Sequence, residues 1–391
     1  MKNWFSLLKR EFKLFSSNSV VIAIFIGAPL LYGLLLGAVY KKGKVTNLPV
    51  LVIDLDNSPL SHKIIDMIDD SEVIDTKLLY NQNDLRSQII DEEYSAILTI
   101  PERFEAQIIQ KRHPEIAVDI NTANILTANY AAKAIQMVLG TLNAGIEIES
   151  IKKQGVPTVT AQAQYESFGV SYARFFNASA NYMTFLWPGV LGIIIQQVFL
   201  LAMALSFARE FEEKTFYSEF MPKAKNIWNA MFVKALPFWI MGIGILFALR
   251  FMFPLFEVPF NANVVAMIGL IVAFLLAVTF LGILISIAIP NQLKATEILM
   301  VVATPSFIVS GFTWPLSQMP SYIVYLANTI PSTHFLIALR KVLLYGANFS
   351  EIWPEIKLLI ILTLVFAVLS YILLKLKIYM NNKKPNQVII E

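Results

Sequence analysis

Two carboxylate-bearing stretches hold most of the reactive chemistry this sequence can offer. In the first, Asp54 and Asp56 flank Leu55 directly after the apolar run at 49–53. A carboxylate pair at the end of a strand can attack a phosphoryl group with one member and hold magnesium with the other. The same two aspartates, followed by Asn57, Ser58 and Pro59, also make ordinary turn and helix-cap chemistry. The second stretch is Arg209-Glu210-Phe211-Glu212-Glu213-Lys214-Thr215-Phe216-Tyr217-Ser218-Glu219-Phe220-Met221-Pro222, charged and helix-competent between two long apolar runs. His62, His113 and His334 are scattered and form no metal-binding or triad motif. Cysteine is absent, which excludes disulfides and thiolate metal sites, and no GxxxxGK[ST] run is present to cradle a nucleotide.

Composition says what must carry these residues. Of 391 residues, 56% are hydrophobic and 15% charged, against roughly 45–50% and about 25% in soluble domains. This is a membrane composition. The net charge of +3 is too small to suggest nucleic acid as a partner. The expected fold is an α-helical membrane protein: six transmembrane helices with an inserted extracytoplasmic α/β (α+β) domain.

Residues 1–19 form a basic amphipathic helix. Trp4, Phe5, Leu7, Leu8, Phe12, Leu14 and Phe15 share one face, and Lys2, Lys9, Arg10 and Lys13 the other. Such a helix suits the headgroup layer of membrane lipid. Glu11 falls in the apolar sector, either as a solvated side chain or as a contact with a partner or another part of the fold. The first span is expected at 20–40, about the ~20 residues a bilayer requires. From 41 to 175 the pattern alternates strands (49–53, 73–79, 94–100, 115–121) with helices (60–68, 84–92, 102–111, 122–153), which reads as a separate mixed α/β domain. Residues 176–378 hold five more spans, at 182–208, 227–253, 263–289, 295–312 and 356–376. A charged loop at 209–226 joins two of them. The stretch 313–354 is interrupted by Pro315, Pro320 and Pro331, so it cannot be one straight helix and reads as an external cap or re-entrant hairpin. A tail at 379–391 closes the chain.

Lys and Arg near span ends orient the spans. Residues 2–13, 209–225, 294 and 375–384 carry most of them, while the opposite short loops carry Arg250, Arg340 and Lys341. Both termini are therefore expected in the cytoplasm and the inserted domain outside, in a bacterial cytoplasmic (inner) membrane. Ion-coupled transport needs ionisable groups within the spans, and the middles of these spans hold almost none. Gln196 and Gln197 are the main polar pair, serving either interhelical hydrogen bonding or a polar spot on a substrate path. Active transport would have to draw its energy from another chain.

The segment from Arg209 to Pro222 resembles the "RExExGTxExLxxxP" segment of ABC type-2 exporter permeases. Ser310-Gly311-Phe312-Thr313-Trp314-Pro315-Leu316-Ser317-Gln318-Met319-Pro320 is similar to the family's "SGFxxPxxxMP". Residues 330–347, with Pro331, Thr333, Phe335, Arg340, Gly346 and Ala347, follow its "xPxTxFxxxxRxxxxxGA". Leu8-Lys9-Arg10-Glu11-Phe12 looks like its N-terminal "xxKEx" helix, and the domain opening at Val52 resembles the subfamily with a large insertion after the first span.

The resemblance covers the whole chain and implies a permease that works as a homodimer or as a heterodimer with a related permease. It would be driven by a separate ABC ATPase subunit that carries ATP and magnesium, with no cofactor on this chain and no enzymatic activity of its own. A coupling helix at about 211–220 would dock on the ATPase, which gives Glu210, Glu212, Glu213, Thr215 and Glu219 a role in coupling, with Glu11 in support. Lys214 stands where the family has Gly, leaving open whether the chain turns tightly there or continues as a helix. Gln196, Gln197, Phe312 and Trp314 are candidates for the translocation path. The aromatic residues of the cap suit an amphipathic, lipid-like or drug-like substrate. The outer domain could meet a periplasmic or cell-envelope partner. Two other readings stay open: a membrane-anchored surface protein whose outer domain binds a partner without transport, and a membrane phosphatase built on Asp54 and Asp56.

Overall fold

The computed structural model describes residues 2–79, 94–165 and 173–383. The helix expected at 84–92 and the end of the tail from 384 lie outside them. The chain divides into two compact units, Met1–Gly43 with Arg174–Glu391, and Lys44–Ala173.

The inserted unit is built on a four-stranded sheet of order β2-β1-β3-β4. Its strands are β1 (Leu48–Asp54), β2 (Ile74–Leu78), β3 (Ala96–Ile100) and β4 (Ala117–Ile120). β1 runs parallel to β2 and β3, and β4 is antiparallel to β3. Being central, β1 is buried along most of its length, so it reads as a continuous apolar run rather than an alternating one. Ser58 and Ser61 form a reciprocal cap with Pro59 at the first turn, which starts the helix at Pro59–Asp69. Ile64 and Ile68 of that helix meet Val50, Val52 and Leu98 of the sheet. Ala131, Ile135 and Leu142 of the long helix Ile125–Lys152 complete the same core. The helix expected to follow Pro101 is shorter, Phe104–Ile109, because Arg103 takes a left-handed φ of 57° and delays its start.

In the other unit, six helices among the described residues are long and apolar enough to cross a membrane. With all helices numbered in chain order, α1 is Lys2–Ser16, α2 the first span Ser19–Val39, and α3 to α6 are those of the inserted unit (Pro59–Asp69, Phe104–Ile109, Ile125–Lys152 and Thr158–Tyr165). The remaining spans are α7 (Tyr182–Glu212), α8 (Ile227–Leu255), α9 (Val264–Ala288), α10 (Gln292–Val309) and α13 (Trp353–Lys383). Between α10 and α13 lie α11 (Ser321–Asn328) and α12 (Pro331–Leu344), bent 86° to one another. The prolines stand at the starts of these pieces: Pro320 precedes α11, and Pro331 is the first residue of α12, where a missing N–H costs nothing.

α7 is the axis of this unit. It is buried on nearly all sides, with α2, α9, α10 and α12 packed around it. Trp187 donates its indole N–H to the Gly33 carbonyl of α2 at 3.0 Å. Gly189 and Gly192 let two aromatic rings reach the α7 backbone, since a Cβ would lie 2.3 Å from Phe312 and 2.5 Å from Phe335. Near the far end of α7, the Ser286 hydroxyl of α9 donates to the Ala204 carbonyl at 2.7 Å. It accepts from the Phe207 and Ala208 amides at 2.9 and 2.8 Å. A side-chain hydroxyl thus sits across the i→i−4 step from Ala204 to Ala208.

α1 differs from a helix whose apolar face rests on lipid alone. Leu7, Glu11 and Phe15 are buried, and the helix packs against α8. Phe5 stays exposed.

Candidate functional site

The charged segment begins where α7 ends. Glu213 caps that helix, and Lys214 turns the chain with a left-handed φ of 59°. The segment is therefore not one helix across 211–220. It breaks at Lys214, which adopts the turn that glycine would make without steric cost, and resumes as a π-helical turn at Phe216–Phe220. A short helical turn at Met221–Ala224 leads to α8, which Asn226 caps. Phe216 and Phe220 are wholly buried and hold the turn down against the rings of Phe207 and Phe211. Glu212, Glu213, Lys214, Tyr217, Ser218 and Glu219 face outward.

Beneath this turn is a cluster of four charges, with Glu11, Glu210 and Lys234 buried and Arg10 half-buried. Glu210, fully buried, accepts from Arg10 Nη1 at 2.6 Å and Nη2 at 3.2 Å, from Lys234 Nζ at 2.6 Å and from Thr215 Oγ1 at 2.5 Å. Lys234 is 2% exposed and also donates to both oxygens of Glu11 at 2.9 Å. Arg10 reaches Glu11 at 3.0 Å. Two carboxylates and two cations cancel, so no net charge is buried, and the hydrogen bonds satisfy the groups that water would otherwise solvate. The Phe220 ring covers the cluster, 4.5 Å from Lys234 Nζ to its centroid. Burial works against the charge on Arg10, but its hydrogen bonds to Glu210 and the charges of Glu210, Glu11 and Glu219 hold it above the usual arginine range. One set of contacts therefore joins α1, the end of α7, the turn and the start of α8.

Of the residues singled out from sequence, Glu11, Glu210 and Thr215 meet here. Glu11 makes a contact within the fold, which answers its place in an apolar sector. Glu213 pairs with Arg209 at 2.8 Å. Glu212 accepts from the backbone and side-chain nitrogens of Gln292 at the start of α10, both at 3.0 Å. Glu219 is exposed. Gln196 is buried and donates to Ser306 at 3.0 Å, an α7–α10 hydrogen bond. Phe312 is buried, stacked on Phe185 and under the Arg340 guanidinium. Gln197 lines a shallow hollow with Leu201, Met300 and Thr304, and Trp314 is 58% exposed. These four path candidates share no common lining. Lys234 and Arg10 were missed as site residues. The readable signals were a cation within the apolar first half of α8 and a lone carboxylate on the apolar face of α1, each a poor choice unless an opposite charge answers it.

Asp54 and Asp56 serve their turn. Asp54 accepts from the Asp56 and Asn57 amides, both at 3.0 Å, and from the Ser61 hydroxyl at 2.7 Å. Asp56 accepts from the Glu105 amide at 3.0 Å. Burial opposes its charge, and the hydrogen bonds from Ser58 and the 103–105 backbone together outweigh this and hold its carboxyl below the usual range.

The family model described as ABC-2 family transporter protein matches residues 19–372. The chain belongs to this family. The ABC-2 match and the six apolar helices together make it a multi-pass membrane protein. Among curated relatives, "ABC transporter G family member 20" of Dictyostelium discoideum is 23% identical over 93% of this chain, which spans 49% of that protein's length. "Inner membrane transport permease YhhJ" of Escherichia coli is 22% identical over 81% of this chain and 82% of its own. "Probable multidrug ABC transporter permease YbhR" of Escherichia coli is 20% identical over 95% of this chain and 98% of its own.

Proposed function

We propose that this chain is the transmembrane permease subunit of an ABC exporter, moving an amphipathic, lipid-like or drug-like substrate outward. A separate ABC ATPase subunit binds ATP and magnesium and performs the hydrolysis, and this chain carries no catalytic step. Two permease chains, this one and either a second copy or a related partner, enclose the path. Both termini and the 209–226 segment lie in the cytoplasm of a bacterial inner membrane. The inserted domain lies outside, where it can meet a periplasmic or cell-envelope partner. Glu212, Glu213 and Glu219 present the docking surface, while Glu210 and Thr215, with Glu11 behind them, carry its movement inward. The half-buried Gln197 and the exposed Trp314 border the path, and Gln196 and Phe312 back it.

One observation carries this reading: a turn whose outer face is charged, with Glu219 exposed, is bonded through Thr215 to the Arg10–Glu11–Glu210–Lys234 cluster, which joins three helices. A push on such a turn cannot be absorbed locally, because moving Glu210 strands charges on two other helices. The multidrug description of one relative supports the substrate class. The test is ATP-driven transport in vesicles containing this chain and its copurifying ATPase. Paired Glu213→Ala and Glu219→Ala changes are expected to weaken ATPase binding. Glu210→Gln is expected to leave hydrolysis running while transport drops. Wild-type transport by both proteins would remove the segment from the mechanism.

A further inference from the structure

A hollow beside the charge cluster has a lining that suits a phospholipid headgroup and the start of an acyl chain. It runs between α1, α2, α7, α8 and the start of α10. Along α7 it follows Ala202, Leu205, Ser206 and Arg209, one helical stripe of about 10 Å at 1.5 Å per residue. Its inner end is apolar, closed by Ala202, Leu205, Val21 and Phe238. Its outer end is polar, bordered by Asn18, Arg209 and Gln292. Those three stand where apolar helices begin or end: Asn18 immediately before Ser19–Val39, Arg209 three residues before the end of Tyr182–Glu212, and Gln292 at the start of Gln292–Val309. The polar end is therefore at headgroup depth and the apolar end at acyl-chain depth.

The donors at the outer end fit a phosphate. Arg209 engages Glu213 through Nε alone, and among the described hydrogen bonds its two Nη groups are open, a planar fork that matches phosphate oxygens. Asn18 accepts the Val20 and Val21 amides with its oxygen, leaving its NH₂ to donate. Lys234 and Glu11 border the groove but satisfy each other, so they do not compete for the headgroup. We infer that this groove binds one membrane phospholipid, its phosphate on Arg209 and Asn18 and one acyl chain laid between Val21, Ala202 and Phe238.

Neither half of the ligand is enough. A free phosphate lacks the chain contacts, and a diacylglycerol lacks the phosphate. The test is native mass spectrometry of the full-length chain in detergent, titrated in turn with phosphatidylglycerol, dioleoylglycerol and glycerol phosphate. The expected result is one retained phosphatidylglycerol per chain and no retention of the other two. Arg209→Gln removes the fork at one end, and Val21→Trp fills the groove at the other without touching a charge. Each is expected to lower retention about tenfold or more, as the loss of a charge-assisted hydrogen bond or of chain burial would. Melting curves of both variants in the same detergent identify any that fail to fold, and retention is read on the one that folds. Unchanged retention in a folded variant, equal retention of dioleoylglycerol, or displacement of the lipid by glycerol phosphate overturns the assignment.

Discussion

Glu11 and Lys234 show how two unfavourable residues can make one favourable contact. Each alone would put a charge into an apolar setting, and paired at 2.9 Å they become a fixed link between α1 and α8. Removing Lys234 costs more than the pair contributes, because Arg10 alone is then left to answer both Glu11 and Glu210. Lys234→Met is expected to destabilise the protein by about 3–5 kcal/mol, read as a lower melting temperature in detergent. Adding Glu11→Gln should recover part of that loss. A single variant that melts like wild type would show the pair to be incidental. Lys214 poses the opposite case, an exposed side chain on a backbone that disfavours it. Lys214→Gly removes a left-handed penalty of about 1 kcal/mol, partly offset by the greater freedom of glycine in the unfolded chain. A modest rise in melting temperature is expected, and a fall would mean that the Lys214 side chain supplies a contact that glycine lacks. The odd placement of Glu11 was legible in the sequence. Its partner was not, since 223 residues separate them and no periodicity relates two helices that far apart.

At the scale of elements, apolar runs and punctuation predicted most of what formed. The Asn residues before α7, α8, α9 and α10 each accept an amide of the first turn, and they fix the helix starts to within a few residues of the apolar pattern. The expected fifth span begins earlier, at Gln292 rather than 295, because Asn291 is its cap. What patterns could not show is which face of α7 meets which neighbour, because a helix apolar on all sides carries no directional stripe. Two glycines decide it. Gly189→Ala would push a methyl group into the Phe312 ring. Overpacking of that kind costs about 1–3 kcal/mol, and it should displace Phe312 from Phe185 and from under Arg340. A tryptophan at Phe312 read by fluorescence would not serve, since it changes the ring itself. Comparing the melting of Gly189→Ala in wild-type and Phe312→Ala backgrounds isolates the contact, and equal losses in both would separate the glycine from the ring. The π-helical turn at Phe216–Phe220 was also illegible, because it arises from seating two rings rather than from propensity.

The whole molecule joins two units with different solvents for their cores. Residues 44–173 carry their own sheet and core, so expressed alone they are expected to unfold in one cooperative step in urea. Their stability should fall on acidification. Asp56 has a folded-state pKa below its unfolded one, so it contributes stability above about pH 4 and loses that contribution as pH drops further. Asp56→Asn should flatten this acid limb while lowering stability at neutral pH, and an unchanged limb would assign the acid sensitivity to other carboxylates. In the membrane unit, the same tie that holds the helices together also decides which of them move together. By taking the amides of Phe207 and Ala208 and returning a bond to the Ala204 carbonyl, Ser286 makes the last turns of α7 a joint held in common with α9. One hydroxyl thus answers three backbone groups of α7 about one turn before Glu210. Movement passed from the turn at Lys214 to Glu210 is expected to carry the α9 end along with the last turns of α7.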